Sequence, residues 1–179
     1  MKTDNIERYL NSFGQNVVSD AKKLLYSEKG NTDLGKSIRF KVVREKNGFS
    51  TKFYMADYGT FLDKGVSGNK VKQSFQDYKG KTMSSPYSYT TKGPPIDILS
   101  KWIKRKKIKP KGFGRGRDKD TGRYISGLAI YISRKIRTRG IKSLSFFQKP
   151  LGLWYEKLQD DFLNVFTADI RSYLTTFTK

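Results

Sequence analysis

Between Lys101 and Arg117, nine of 17 residues are basic: Lys101, Lys104, Arg105, Lys106, Lys107, Lys109, Lys111, Arg115 and Arg117. Ammonium and guanidinium groups at that density share one chemistry, attraction to phosphates, and the interspersed Gly112, Gly114 and Gly116 let backbone come close to a polyanion. A second basic set follows: Arg134, Lys135, Arg137, Arg139 and Lys142. A plainer reading makes Lys101, Lys104, Arg105 and Lys107 the solvated face of an amphipathic helix whose other side carries Trp102 and Ile103. That accounts for where the charges stand but not for their single sign. No recognition-helix motif accompanies them, so any nucleic-acid contact is expected to be indifferent to base sequence, with Phe113 available to stack on a base.

The other candidates are weaker. Asp118-Lys119-Asp120-Thr121-Gly122 resembles the start of a calcium loop, but Gly falls at the fifth position instead of the sixth and no Glu closes the loop, so a turn and helix cap is expected. Gly112 to Gly116 follows no strand and is no dinucleotide fingerprint. Asp20 with Lys22, and Asp77 with Lys79, have the local spacing of a carboxylate-lysine nuclease site, a spacing that chance supplies in a Lys-rich chain. The chain contains neither His nor Cys, which excludes thiolate nucleophiles, imidazole bases, disulfides and Cys/His zinc sites. No catalytic residue, metal ligand or cofactor is expected.

The 179 residues carry 37 basic and 16 acidic side chains, a formal charge of +21. The excess is local: residues 1–100 have 17 basic and 10 acidic groups (net +7), residues 101–149 have 17 and 2 (net +15), and residues 150–179 have 3 and 4 (net −1). Such a chain repels copies of itself and attracts polyanions. Met1 leads into the polar stretch Lys2 to Arg8 with no apolar signal region, and no apolar run is long enough to span a bilayer, so neither secretion nor membrane residence is expected. A hydrophobic content of 36% supports a modest core.

The elements that must position these groups follow from periodicity. Asp4 and Glu7 have the form of a capping box, and Ile6, Leu10, Phe13, Val17, Ala21 and Leu24 recur at helical spacing up to Gly30-Asn31. From Lys36 to about Asp63 the pattern is that of strands: Ile38, Phe40 and Val42 alternate with charges, Asn47-Gly48 is a hairpin turn, and Phe49 to Tyr58 returns. Val66 to Pro95 reads as a long polar excursion, with an extended piece near Tyr87 to Thr91. Pro94-Pro95 starts a helix with Ile96, Leu99, Trp102 and Ile103 on its apolar face, ending by Lys109-Pro110. Thr121 is placed to cap another helix, with Tyr124, Leu128, Tyr131 or Ile132, and Ile136 on one face, closed by Gly140. From about Leu151 to Thr178, a long amphipathic helix carries Tyr155, Leu158, Phe162, Val165, Phe166, Ile170, Tyr173 and Phe177. Together with Trp154, this stripe is either core or a surface shared between subunits, for which Trp154, Tyr155, Phe162, Phe166, Tyr173 and Phe177 are the candidates. The class is α+β.

Several short elements in order carry a family resemblance. They are Leu34-Gly35-Lys36-Ser37-Ile38 entering the first strand, Tyr58-Gly59-Thr60-Phe61-Leu62-Asp63-Lys64-Gly65-Val66, the Trp102 helix, the run Ala129 to Ile136 continued by Arg139-Gly140-Ile141-Lys142, and Phe146-Phe147-Gln148-Lys149-Pro150-Leu151. Across roughly residues 4 to 151 the chain resembles the neck or tail-completion (head-tail connector) proteins of tailed bacteriophages. The resemblance implies a small twisted antiparallel sheet packed against helices in a connector-like domain over 1–151, including the loop 66–95 and the basic helix-loop 96–120. Residues 152–179 then form a helical extension, and this extension and the Val66 to Pro95 excursion are the departures from the family pattern, expected as contacts to neighbouring ring components. It implies a non-enzymatic virion protein, assembled in the bacterial cytoplasm into a homo-oligomeric ring that joins portal to tail around the DNA channel, with portal and other neck or tail proteins as neighbours. Tyr58, Gly59, Asp63 and Gly65 would be scaffold and turn residues, while Ile141, Phe146, Phe147 and Leu151 would pack the domain. The competing expectation, from charge alone, is a soluble nucleic-acid-binding protein without sequence preference.

Overall fold

The structure is a computed structural model that describes residues 4–108, 112–117 and 124–175. In chain order it contains α1 (Asp4–Lys29), α2 (Asp33–Ser37), β1 (Arg39–Glu45), β2 (Gly48–Tyr54), α3 (Gly59–Lys64), β3 (Val66–Ser67), β4 (Ser74–Gln76), β5 (Thr82–Ser84), α4 (Ile96–Arg105), β6 (Arg115–Arg117), β7 (Tyr124–Ser126), α5 (Gly127–Arg139), β8 (Gly140–Ile141) and α6 (Gln148–Thr175). The fold is mixed α and β with a long C-terminal helix, and its strands are divided among two-stranded sheets β1-β2, β3-β8, β4-β5 and β6-β7. The chain partitions into two compact units, one comprising residues 1–63, 76–83 and 144–179 and the other residues 64–75 and 84–143.

The first unit is built around α1 and α6. Its core gathers Phe13, Val17, Val18, Ala21 and Leu25 of α1 with Leu34, Ile38, Phe146 and Phe147, and Trp154 and Leu158 of α6 pack against it. Helical periodicity predicts Leu24 inside, whereas Leu25 is buried and Leu24 exposed, because the buried arc of α1 turns past Leu24 onto Leu34. The β1-β2 hairpin lies over α1 at Gly14, where an added Cβ would run into the Phe40 ring. Phe53 meets Phe13 and Phe147 edge-on at 6.1 and 5.3 Å between ring centroids. Glu45 pairs with Gly48, so the hairpin loop is Lys46-Asn47, one residue earlier than Asn47-Gly48. The return strand ends at Tyr54, and Gly59–Lys64, expected to be extended, is helical. There the buried Gly59 lets the chain close against Met55 and Leu34.

Two buried aspartates close the two long helices. Asp169, 1% exposed, accepts hydrogen bonds from the Asn5 and Ile6 N–H groups at 3.3 and 3.0 Å in the first turn of α1. Asp63 Oδ1 accepts from the Phe147 and Gln148 N–H groups at 2.8 and 3.4 Å at the start of α6. Carboxylates at these positions satisfy amides with no intrahelical partner and face the positive end of each helix dipole. The Asp4 side chain, half of the expected capping box, lies outside what the structure describes. α6 begins at Gln148, before the expected Leu151, with Pro150 tolerated in its first turn. The turn at residues 76–83 docks on it: the Tyr78 N–H donates to Gln148 Oε1 at 3.1 Å, and the Tyr78 and Tyr155 rings meet at 5.4 Å.

In the second unit α4 packs beside α5, and β3 pairs with β8 through Val66–Ile141 and Ser67–Gly140. The stretch read as a polar excursion is therefore partly ordered by pairing, and Tyr87 to Tyr89 is extended against Ser67, whose N–H donates to Tyr87 and whose carbonyl accepts from Tyr89, both at 2.8 Å. Helix α5 starts at Gly127, because Tyr124–Ser126 forms a strand against Arg115–Arg117. Tyr124 thus leaves the expected helical face, and the expected cap Thr121 lies outside the described residues, as does Asp118 to Gly122 as a whole. At the other end of α5, the Asn69 and Lys70 N–H groups donate to the Arg137 and Thr138 carbonyls at 2.9 and 3.1 Å. Gly140, at φ +76°, turns the chain into β8.

Candidate polyanion and assembly surfaces

Helix α4 is amphipathic, with Ile103 buried and Lys101, Lys104 and Arg105 exposed. It ends in a Schellman turn: the Lys107 N–H donates to the Lys104 carbonyl at 3.0 Å and the Ile108 N–H to the Ile103 carbonyl at 3.1 Å, with Lys107 left-handed at φ +53°. The turn needs a positive φ that Gly normally supplies, and here Lys107 adopts it. Lys104, Arg105, Lys106 and Lys107 therefore crowd the negative end of the helix dipole, a favourable place for cations. None of Lys101, Lys104, Arg105, Lys106 and Lys107 makes an ion pair within the described residues, where Lys23–Asp20, Lys36–Asp33 and Lys52–Glu45 are the pairs observed. Lys109 and Lys111 lie outside the described residues. Arg115 and Arg117 stand in β6, and nothing is described of their side chains.

The second basic set divides. Arg134 and Arg139 of α5 are exposed, but Arg137 is half-buried and its Nη1 donates to the Thr91 carbonyl at 3.4 Å. Lys135 extends over the Tyr131 ring, which in turn lies 5.5 Å from Phe113. Phe113, the candidate stacking residue, is thus exposed yet already has an aromatic neighbour. Between α4 and α5 lies an open groove of about 530 Å3, walled by Ile98, Leu99, Trp102, Ile132 and Ile136 and edged by Lys101 and Arg105.

The C-terminal stripe also divides. Trp154 Nε1 donates to Asp20 Oδ2 at 2.9 Å, and the Lys157 ammonium sits 4.3 Å over the indole. The indole hydrogen bond first, and Lys23 second, hold the Asp20 carboxyl below its usual range. Trp154 and Tyr155 are thereby engaged inside their own unit. Further along, Phe162 and Phe166 stack in parallel at 6.2 Å and stay 39% and 40% exposed, and Tyr173 is exposed to the same degree. Leu163 at 70% and Leu174 at 58% exposure extend the face. Neither stood in the expected stripe, yet Leu163, Phe166, Ile170 and Leu174 recur at three, seven and eleven residues, a second apolar line legible in the same sequence. Phe177 lies outside the described residues.

The aspartates of both carboxylate-lysine spacings have structural partners other than the Lys22 and Lys79 side chains. Asp20 holds Trp154 and Lys23, and Asp77 Oδ1 accepts the Lys79 and Lys81 N–H groups at 2.9 and 2.8 Å to close a turn. Among the described residues no three His, Cys, Asp or Glu side chains gather as metal ligands, and no helix is long and apolar enough to cross a membrane. Comparison with protein-family profiles, with curated proteins and with solved structures finds no match to this chain.

Proposed function

We propose that the chain is a structural protein of a tailed-phage virion, forming a homo-oligomeric ring in the neck or head-tail connector that joins portal to tail around the DNA channel, assembled in the bacterial cytoplasm. The observation that carries this reading is a pair of surfaces unfilled among the described residues, the cations without ion pairs on α4 and the turn after it, and an apolar face left exposed on the distal half of α6. A lone soluble protein has little use for the second, whereas an assembly covers it. The first suits a surface that meets DNA of any sequence, or an acidic neighbour such as a portal protein. In a ring of n copies the formal charge is 21n, which requires a polyanion or an acidic partner close by. The ordered sequence elements resembling neck proteins support that location, and on this reading the work is assembly with no catalytic step. Purified particles of the encoding virus should contain the chain at a ring copy number, visible at the head-tail junction. Recovery only as a monomer that never joins particles would overturn the reading.

The cations of α4 and the turn after it, without ion pairs among the described residues, also favour a second reading, a soluble nucleic-acid-binding protein without sequence preference. It predicts DNA binding that weakens steeply with salt. Replacing Lys104, Arg105, Lys106 and Lys107 together by Gln would reduce the slope of log K against log salt by about three to four. Absence of binding at low salt would dispose of it.

A further inference from the structure

We propose that the distal face of α6 in one copy docks into the α4–α5 groove of a second copy, a head-to-tail joint that rests on the ring reading above and names the surfaces that build it. The groove offers apolar walls, including Leu99, Trp102, Ile132 and Ile136, with Lys101 and Arg105 on its edge. The matching helix presents Leu163, Phe166, Ile170 and Leu174 at the spacing by which an amphipathic helix anchors in a groove. Just upstream, on the same side of that helix, stand the exposed Glu156 and Asp160, neither of them in an ion pair among the described residues.

Charge selects the occupant. Residues 101–149 carry a net +15 and residues 150–179 a net −1, so a joint that brought two basic segments together would be repelled. Setting the C-terminal helix on the basic groove places carboxylates beside Lys101 and Arg105. The two patches differ, so the contact is heterologous. Every copy keeps one patch open for the next, and the chain of joints closes into a ring where the rotation permits.

The test uses the full chain, with self-association followed by sedimentation velocity and native mass spectrometry at low salt. One variant, Leu163→Gln/Phe166→Gln, removes the stripe; another, Lys101→Glu/Arg105→Glu, reverses the groove edge. All four positions are exposed, so both variants should keep the helical circular dichroism and thermal transition of the wild type. Self-association should weaken about a hundredfold in the first and about tenfold or more in the second. Mixed, the two variants should form a one-to-one dimer that grows no further, because only one intact stripe and one intact groove remain to meet. Assembly of either variant at wild-type strength, or a mixture that stays monomeric, overturns the joint. A wild-type chain that does not self-associate also overturns it. The ring reading is decided separately by particle composition, so a ring that survives both variants removes this joint and leaves that reading standing.

Discussion

Removing the Asp169 carboxylate should loosen the start of α1, 164 positions away in sequence. The side chain is 1% exposed, and its two oxygens take the Asn5 and Ile6 N–H groups at 3.3 and 3.0 Å. In Asp169→Ala both donors lose their partner in a place water reaches poorly. A hydrogen bond to a charged group contributes about 1.5–3 kcal/mol net, and a carboxylate at a helix N-terminus adds about 0.3–1 kcal/mol. Because the Asn5 bond is long, the expected loss is about 2–4 kcal/mol, a large share of the 5–15 kcal/mol typical of a folded domain. At roughly 2–4 °C per kcal/mol for a chain of this size, the midpoint of thermal unfolding should fall by about 4–16 °C. Asp169→Asn keeps one acceptor oxygen and should cost about half as much. Circular dichroism melts give the midpoints, and hydrogen exchange at the Ile6 amide gives the local effect, a loss of protection confined to the first turn of α1. The reasoning fails if Asp169→Ala melts within about 1 °C of wild type, since even one such bond is expected to move the midpoint further. It fails equally if the Ile6 amide stays as protected as before.

In Gly140→Ala the new Cβ would strike the Val66 carbonyl and come within 2.6 Å of the Gly68 nitrogen, at a φ of +76°. These are backbone atoms that cannot swing aside, so residues 84–143 should become sensitive to limited proteolysis while the α1–α6 unit stays resistant. Tyr9 donates to Asp161 Oδ2 at 3.1 Å, and burial first, then that hydrogen bond, pushes its phenol up to about 12. The neutral phenol is the form the fold favours. Its contribution to stability is therefore complete below the unfolded value near 10 and is lost as pH rises towards 12. Urea midpoints measured across that window should fall in the wild type and fall less in Tyr9→Phe.

What was legible in the sequence was what repeats locally. α1, the first hairpin and α6 each declare themselves by apolar spacing, and the elements were found within a few residues of where they stand. The hairpin turn slipped by one because Gly48 completes a pair with Glu45 and leaves the loop to Lys46-Asn47. Residues 59–64 and the start of α5 depart from the local pattern for a different reason, since their conformations are set by partners elsewhere: Leu34 and Met55 against Gly59, and the Gly114 carbonyl, which accepts the Gly127 N–H at 2.9 Å. The basic surface of α4 was legible because charge at that density is forced outward. The groove beside it was not, because it exists only once Ile132 and Ile136 of α5 arrive next to Trp102. The Asp169 cap left no sequence signal, as a single Asp far along the chain looks like any other solvated acid, and Asp63 stood out only as a scaffold residue by resemblance, with nothing to name the helix it caps.

The caps also impose an order in time. At about 5–20 residues per second of synthesis, the 164 positions between Asn5 and Asp169 take roughly 8 to 33 s to make. Throughout that interval the Asn5 and Ile6 amides lack the carboxylate that later holds them, and Asp63 likewise waits through 84 positions for the Phe147 amide it will hold. The helix made first is thus finished by the helix made last, and a nascent chain stalled before residue 169 carries an α1 whose beginning is still open.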